Sequence, residues 1–150
     1  MKLAEALLLR SEYQKMLERL KNRVLSNIKV QEGDKPLENP EELIKETFEL
    51  SERLCELVNK INSRNVSTKL PSGQTLSEAL ARRDTIIKNR NFLNSIIGTA
   101  SQKDHRLTRS EIKMNVAISV AETQKQIDDL SKEFRELDVQ IQALNWTTDL

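Results

Sequence analysis

The sequence has little of what catalytic and disulfide-stabilised proteins use. Its 150 residues include one histidine, one cysteine, three glycines, three prolines and 3% aromatic residues. The single cysteine, Cys55, excludes an internal disulfide. We expect it to be a buried, unreactive thiol because it follows Leu54 in an acidic helical segment. The three glycines are isolated, so a glycine-rich phosphate-binding loop is excluded.

Long apolar runs and an excess of one charge are also missing. The first ten residues resemble a signal peptide, but Glu5 interrupts the apolar run and Arg10 ends it, so we predict a helix there. No stretch approaches the ~20 apolar residues that cross a bilayer. The 24 basic and 23 acidic side chains give a net charge of +1, which supplies no general attraction to nucleic acid or anionic lipid. We therefore expect a cytoplasmic protein without membrane contact.

Apolar residues recur at helical spacing in four segments, 3–28, 43–61, 76–97 and 127–144. Residues 2–27 carry six basic and three acidic groups and residues 77–97 carry four and two, whereas 41–61 and 121–146 each carry three and six. Because neighbouring helices of opposite charge attract, this pattern favours a four-helix bundle. We treat residues 1–150 as one domain.

Two segments have the pattern of β-structure. Residues 66–75 contain Pro71, Ser72 and Gly73 between short polar-apolar runs, which is typical of a hairpin. Residues 112–120 alternate strictly between apolar and small or polar side chains, a period of two. Since a lone hairpin is marginal in water, we expect this strand to pair with it. The predicted fold class is α+β, mostly α, with a small antiparallel sheet.

Arginines interrupt the apolar stripes. Arg10 does so in the first helix, and Arg83 and Arg90 do so in the third. A guanidinium is rarely buried without a partner, and Glu133 and Asp138 flank the stripe of the fourth helix. We predict a buried ion-pair layer that fixes helix register. An anion-binding pocket is the alternative.

Catalytic, cofactor and metal sites are not expected. His105 follows Asp104, which could orient it, but no second histidine or oxyanion element accompanies it, so we interpret it as an exposed loop residue. The glutamates of the second helix lack the histidines that carboxylate-bridged metal sites use. A basic loop, residues 103–113, is the one candidate contact for nucleic acid: its members are Lys103, His105, Arg106, Arg109 and Lys113. No aromatic residue lies near it for base stacking, which disfavours nucleic-acid binding.

Residues 27–33, 61–65, 76–84, 109–113 and 137–146 together resemble a family of small bacterial proteins often labelled septicolysin. The resemblance extends over nearly the whole chain. It implies no established activity for any residue here. Its haemolysin-like name implies a toxin, which the absence of a membrane-length segment disfavours.

The leading functional prediction is a non-enzymatic structural or interaction protein that self-associates. Several apolar stripes are wider than one partner helix requires. Trp146 is a large aromatic residue in a tail with few apolar neighbours, so we predict that it packs against a neighbouring subunit, with its own bundle as the alternative. A homo-oligomer is the expected partner state, and its copy number is open. The alternatives are a nucleic-acid-binding accessory protein that uses the basic loop and, third, a toxin-like protein.

Overall fold

A computed structural model describes residues 1–102 and 113–150. Its four helices are α1 (Leu3–Ser26), α2 (Pro40–Ser67), α3 (Leu76–Ser101) and α4 (Val120–Thr147). The chain divides into two compact units, Met1–Leu76 with Gln142–Leu150 and Ser77–Ile141. The assignment of residues 1–150 to one domain stays a prediction.

In the first unit, α1 packs against α2 through the stripes that the periodicity predicted. Leu17 and Leu20 of α1 meet Leu43 and Leu50 of α2 in the core, and Tyr13, Val24 and Leu54 pack around them. Thr47 lies in the same stripe, where its hydroxyl donates to the carbonyl oxygen of Leu43 at 2.7 Å. A buried hydroxyl is tolerated when it is hydrogen-bonded, so Thr47 does not break the apolar seam.

The loop between α1 and α2 is held by side chains at both ends. Buried Asn27 donates through Nδ2 to the carbonyl oxygen of Arg23 at 2.8 Å and accepts at Oδ1 from the backbone N–H of Glu38 at 3.0 Å. Arg23 also forms an ion pair with Glu38. Asn39 then caps α2 by accepting from the N–H of Glu41 at 3.0 Å. These contacts use the free backbone groups of both helix ends.

In the second unit, α3 and α4 run antiparallel. Arg83, early in α3, contacts Asp138, late in α4, and Arg90 lies over the ring of Phe134, earlier in α4. The buried side chains of this unit follow the predicted stripes: Ala79, Ile86, Ile127, Leu137 and Ile141. The helical part of the prediction is therefore correct in both units.

The predicted hairpin over residues 66–75 is wrong. Val66 and Ser67 still belong to α2, because residues 62–67 contain neither glycine nor proline to end it. What remains is one isolated antiparallel bridge between Lys69 and Thr75. Gly73, with φ of 90°, closes this tight turn by donating to the Leu70 carbonyl oxygen at 2.9 Å.

The predicted strand over residues 112–120 is also wrong, although Ile112 itself lies outside the described residues. Residues 113–119 form neither strand nor helix, and their side chains are exposed. Ser119 ends the segment by capping α4, since its Oγ accepts from the Glu122 N–H at 3.2 Å. An alternating segment becomes a strand only when a sheet edge is available to pair with it, and the hairpin does not supply one. Within the described residues the fold is therefore all-α, not α+β.

Candidate interaction surfaces

One ion pair joins an interrupting arginine of α3 to α4. Arg83 Nη1 donates to Asp138 Oδ1 at 2.7 Å, and the two side chains are 24% and 30% exposed. The Nε of Arg83 is buried without a hydrogen-bond partner among the described residues. The pair is half-buried, so solvent screens it only in part.

The other members of the predicted layer have different neighbours. Glu133 accepts from Arg82, the residue before Arg83, at 2.9 Å from Nε and 2.6 Å from Nη2. Arg90 places its guanidinium carbon 5.3 Å from the centroid of the Phe134 ring, a cation–π contact. Arg10 belongs to the first unit, where its Nε is buried and unpaired within the described part of the chain. The sequence pattern located the stripe arginines but did not distinguish Arg82 from Arg83 as the partner of Glu133.

The two chain termini are joined in what we call the terminal clasp, formed by residues 1–5 and 147–150. Lys2 and Asp149 form an antiparallel bridge, with Leu3 N–H donating to the Thr148 carbonyl oxygen at 2.9 Å. Leu150 N–H donates to the Met1 carbonyl oxygen, also at 2.9 Å. The Lys2 ammonium lies 2.9 Å from Asp149 Oδ1. The clasp therefore ties the start of α1 to the end of α4.

The charge of Lys2 in the terminal clasp shifts the pKa of Asp149. The hydrogen bond from the Lys2 ammonium, with its positive charge, holds the pKa of Asp149 below its usual range. A similar effect occurs at the α1–α2 loop, where the hydrogen bond from Arg23 lowers the pKa of Glu38. Both carboxylates remain ionised to lower pH than a free side chain. Each contact joins residues distant in sequence, so local patterns did not reveal it.

A second stripe runs along α2, one residue out of step with the buried one. We call it the outer stripe, and its uncharged members follow 4-3 spacing: Ile44, Phe48, Ser51, Cys55, Val58, Asn62 and, four residues on, Val66. A shift of one residue turns a helical position by about 100°. The outer stripe therefore lies beside the seam with α1 and not within it.

Most of the outer stripe is exposed to solvent. Phe48 is 68% exposed, and Ile44 and Val66 are exposed as well. Cys55 is exposed, which corrects the prediction of a buried thiol. The prediction failed because Cys55 belongs to the outer stripe rather than to the neighbouring buried one. The uncharged 4-3 spacing in the sequence was the signal that could have identified this surface.

The remaining predicted positions do not form one site. Trp146 is 58% exposed at the end of α4. In the basic loop, Lys113 is exposed, and Lys103, His105, Arg106 and Arg109 lie outside the described residues. No cluster of three or more histidine, cysteine or acidic side chains within ranges 1–102 and 113–150 has the geometry to hold a metal ion. Across those same ranges, none of the helices has the length and apolar character to cross a membrane.

The described residues thus define an all-α protein with a terminal clasp and an exposed uncharged stripe. The chain belongs to a family of unknown function, DUF6847, whose model matches residues 10–150. It is also similar to a protein from Corynebacterium diphtheriae described as a functionally unknown conserved protein. The two are 42% identical with a TM-score of 0.93, over 100% of this chain and 98% of that one. No curated protein matches. The family description carries no link to septicolysin.

Proposed function

We propose that this chain is a non-enzymatic interaction protein that associates with a second copy of itself through the outer stripe of α2. The observation that carries the proposal is the run of uncharged positions on an otherwise highly charged helix. Lysine and glutamate are readily accommodated on an exposed helix face, and such residues keep a surface soluble. Exposed apolar side chains such as Phe48 and Val66 on one uncharged helix face are typical of an interaction surface.

The stripe fits a copy of itself in antiparallel orientation. With a two-fold axis at the height of residue 53 along the helix, Phe48 lies opposite Val58 of the second copy. Ser51 then lies opposite its Cys55. Phe48 and Val58 then form apolar pairs and small residues meet in the centre, whereas Ile44 lies opposite Asn62 of the second copy. Such an isologous contact, in which each residue pair occurs twice, is the commonest arrangement in homo-oligomers.

The size of the stripe predicts a weak dimer. From Ile44 to Val66 it is about 33 Å long at 1.5 Å per residue. With a helix width of about 10 Å, it offers roughly 350 Å² per partner, well below the ~800 Å² of a standard interface. We therefore expect a dimer that forms at high protein concentration and dissociates on dilution.

Charges beside the stripe predict the effect of salt. Glu49, Glu52 and Glu56 border it on one side together with Lys45, whose ammonium lies 4.0 Å from Glu49, and in the antiparallel pair Glu49 lies near Glu56 of the second copy. Salt screens this repulsion. Self-association through the outer stripe should therefore strengthen as salt is raised, whereas docking of a basic partner on the same surface would weaken.

Cross-linking through Cys55 tests the geometry directly, because Cys55 is the chain's only cysteine and is exposed. In the antiparallel pair the two thiols are within about 10 Å of each other, because they are offset by about 6 Å along the axis and face each other across helices about 8–10 Å apart. A bis-maleimide of that reach should trap a dimer. A single-cysteine control, Cys55→Ser with Ser95→Cys, places the thiol on α3 and should give no dimer.

Light scattering supplies the second measurement. The parent mass should rise from 17.3 kDa towards twice that value with concentration, and Phe48→Glu should abolish the rise. Phe92→Glu is the matched control, since Phe92 is 64% exposed on α3. A parent that stays monomeric at millimolar concentration overturns self-association. A dimer that survives Phe48→Glu but is lost in Trp146→Ser moves the interface to the end of α4.

The cytoplasmic location is part of the same proposal, supported by a single cysteine that forms no internal disulfide. The septicolysin resemblance supports a toxin-like alternative. Leakage from vesicles of phosphatidylcholine and phosphatidylglycerol tests that alternative, and we expect none.

A further inference from the structure

An open cleft lies between α3 and α4, entirely within the second unit. Its volume is about 400 Å³, in the lower part of the range for small-molecule sites. Six side chains line it: Asn89, Phe92 and Leu93 from α3, and Gln126, Asp129 and Leu130 from α4. Each helix contributes positions i, i+3 and i+4, which share one helical face.

The cleft combines an apolar wall with polar groups that have no partner. Phe92, Leu93 and Leu130 form the apolar part. Asp129 makes no hydrogen bond or ion pair within the described residues, whereas neighbouring Asp128 accepts from Gln124 at 3.1 Å. The side-chain amides of Asn89 and Gln126 are likewise unpaired in the described part of the chain. A few polar side chains beside apolar ones are the composition that ligand sites show.

The sign of the charge decides the class of ligand. Asp129 is the one charged residue of the lining. Lys125 precedes it by four residues, but lysine before aspartate is the less favourable orientation of such a pair, and no ion pair forms between them. Arg90, beside Asn89 in sequence, is turned to the Phe134 ring. The carboxylate is therefore available to a cation that enters the cleft.

We propose that this cleft binds a small amphipathic amine, whose ammonium group pairs with Asp129 and whose apolar body lies against Phe92, Leu93 and Leu130. The amide oxygens of Asn89 and Gln126 accept the remaining ammonium hydrogens. Since the cleft is open and its residues are largely solvent-exposed, affinity for a ligand of about nine heavy atoms is on the order of millimolar.

Titration of the full chain with 2-phenylethylammonium, followed by backbone amide NMR shifts, tests the site. 2-Phenylethanol is the neutral probe of the same shape. We expect saturable shifts at residues 89–93 and 126–130, with the ammonium bound roughly two- to fivefold more tightly, as an exposed ion pair allows. Asp129→Asn should remove that preference, and Phe92→Ser should weaken both probes.

Asp128→Asn is the matched control, because it removes the same charge from the adjacent position of α4 outside the cleft. It should leave the preference for the ammonium intact. Equal affinity for the two probes, an equal loss in Asp128→Asn and Asp129→Asn, or shifts scattered over the other carboxylates of α4 would each overturn the proposal. All these side chains are exposed, so the variants should fold. The site does not depend on dimer formation, which light scattering reports separately.

Discussion

The Arg83–Asp138 ion pair allows a direct measurement of what partial burial adds to a charged contact. We propose a double-mutant cycle with Arg83→Met and Asp138→Asn, since methionine keeps most of the arginine stem and its packing. The matched cycle uses Arg82→Met and Glu133→Gln on the same two helices. The first pair is 24% and 30% exposed, and the second is 49% and 43% exposed.

The expected coupling energies follow from these exposures. Exposed pairs give coupling energies of about 0.2–1 kcal/mol, and residues in direct contact within one network give up to about 3 kcal/mol. Arg82–Glu133 belongs to the first class, so we expect at most about 0.5 kcal/mol. Arg83–Asp138 lies between the classes but closer to the first, so we expect about 1–1.5 kcal/mol.

Urea unfolding followed by circular dichroism is the appropriate assay, because it reports all four helices. The fluorescence of Trp146 would report the first unit instead. Equal slopes in urea across the variants are required before the midpoints are converted to free energies. If the Arg83–Asp138 coupling is no larger than that of Arg82–Glu133, burial does not control the strength of these pairs and the reasoning fails.

Three further results are expected. Lys2 lowers the pKa of Asp149, so the Lys2–Asp149 ion pair stabilises the fold fully above the unfolded pKa of about 3.9. This stabilisation is lost as pH falls through the lower folded pKa. In Asp149→Asn the melting temperature should therefore depend less on pH in the acid range. Gly73→Ala should destabilise by about 1 kcal/mol at its positive φ, whereas Gly98→Ala, helical with open space at its Cβ, should stabilise by up to about 1 kcal/mol in urea unfolding. Val116→Pro should change stability by less than about 0.5 kcal/mol, since residue 116 is exposed and outside every helix; a larger loss would indicate pairing of that segment.

The sequence predicted those elements whose stability comes from local periodicity. The seam of Leu17 and Leu20 with Leu43 and Leu50 follows from helical spacing, and Asn39 with Pro40 marks the start of α2. The predicted sheet is wrong because the alternation in residues 113–120 indicates a strand only if the segment has a second strand to pair with. Pairing depends on another part of the chain, and the bridge between Lys69 and Thr75 is too short to provide it.

Dependence on distant parts of the chain also explains why the terminal clasp and the cleft were not predicted. The clasp joins Lys2 to Asp149 across almost the whole chain, and no pattern within either end encodes that distance. The cleft depends on the antiparallel registry of α3 and α4, which brings Asn89 beside Gln126 only in the folded unit. The stripe arginines were recognisable because a charge in an apolar row is a local anomaly, but their partners depend on registry in the same way.

The outer stripe of α2 was visible in the sequence, but its exposure was not. Its 4-3 spacing equals that of the buried stripe, and the two differ by one residue, or about 100° of rotation. Helical periodicity therefore predicts two stripes on α2 but not whether each has a partner helix. In the structure α1 packs on one of them. For a monomer the second seam needs no apolar side chains, since charged residues serve an exposed helix face equally well. Phe48 and Val58 across a two-fold axis would give that seam a partner, and this is why the dimer, rather than any catalytic activity, is the first property to measure.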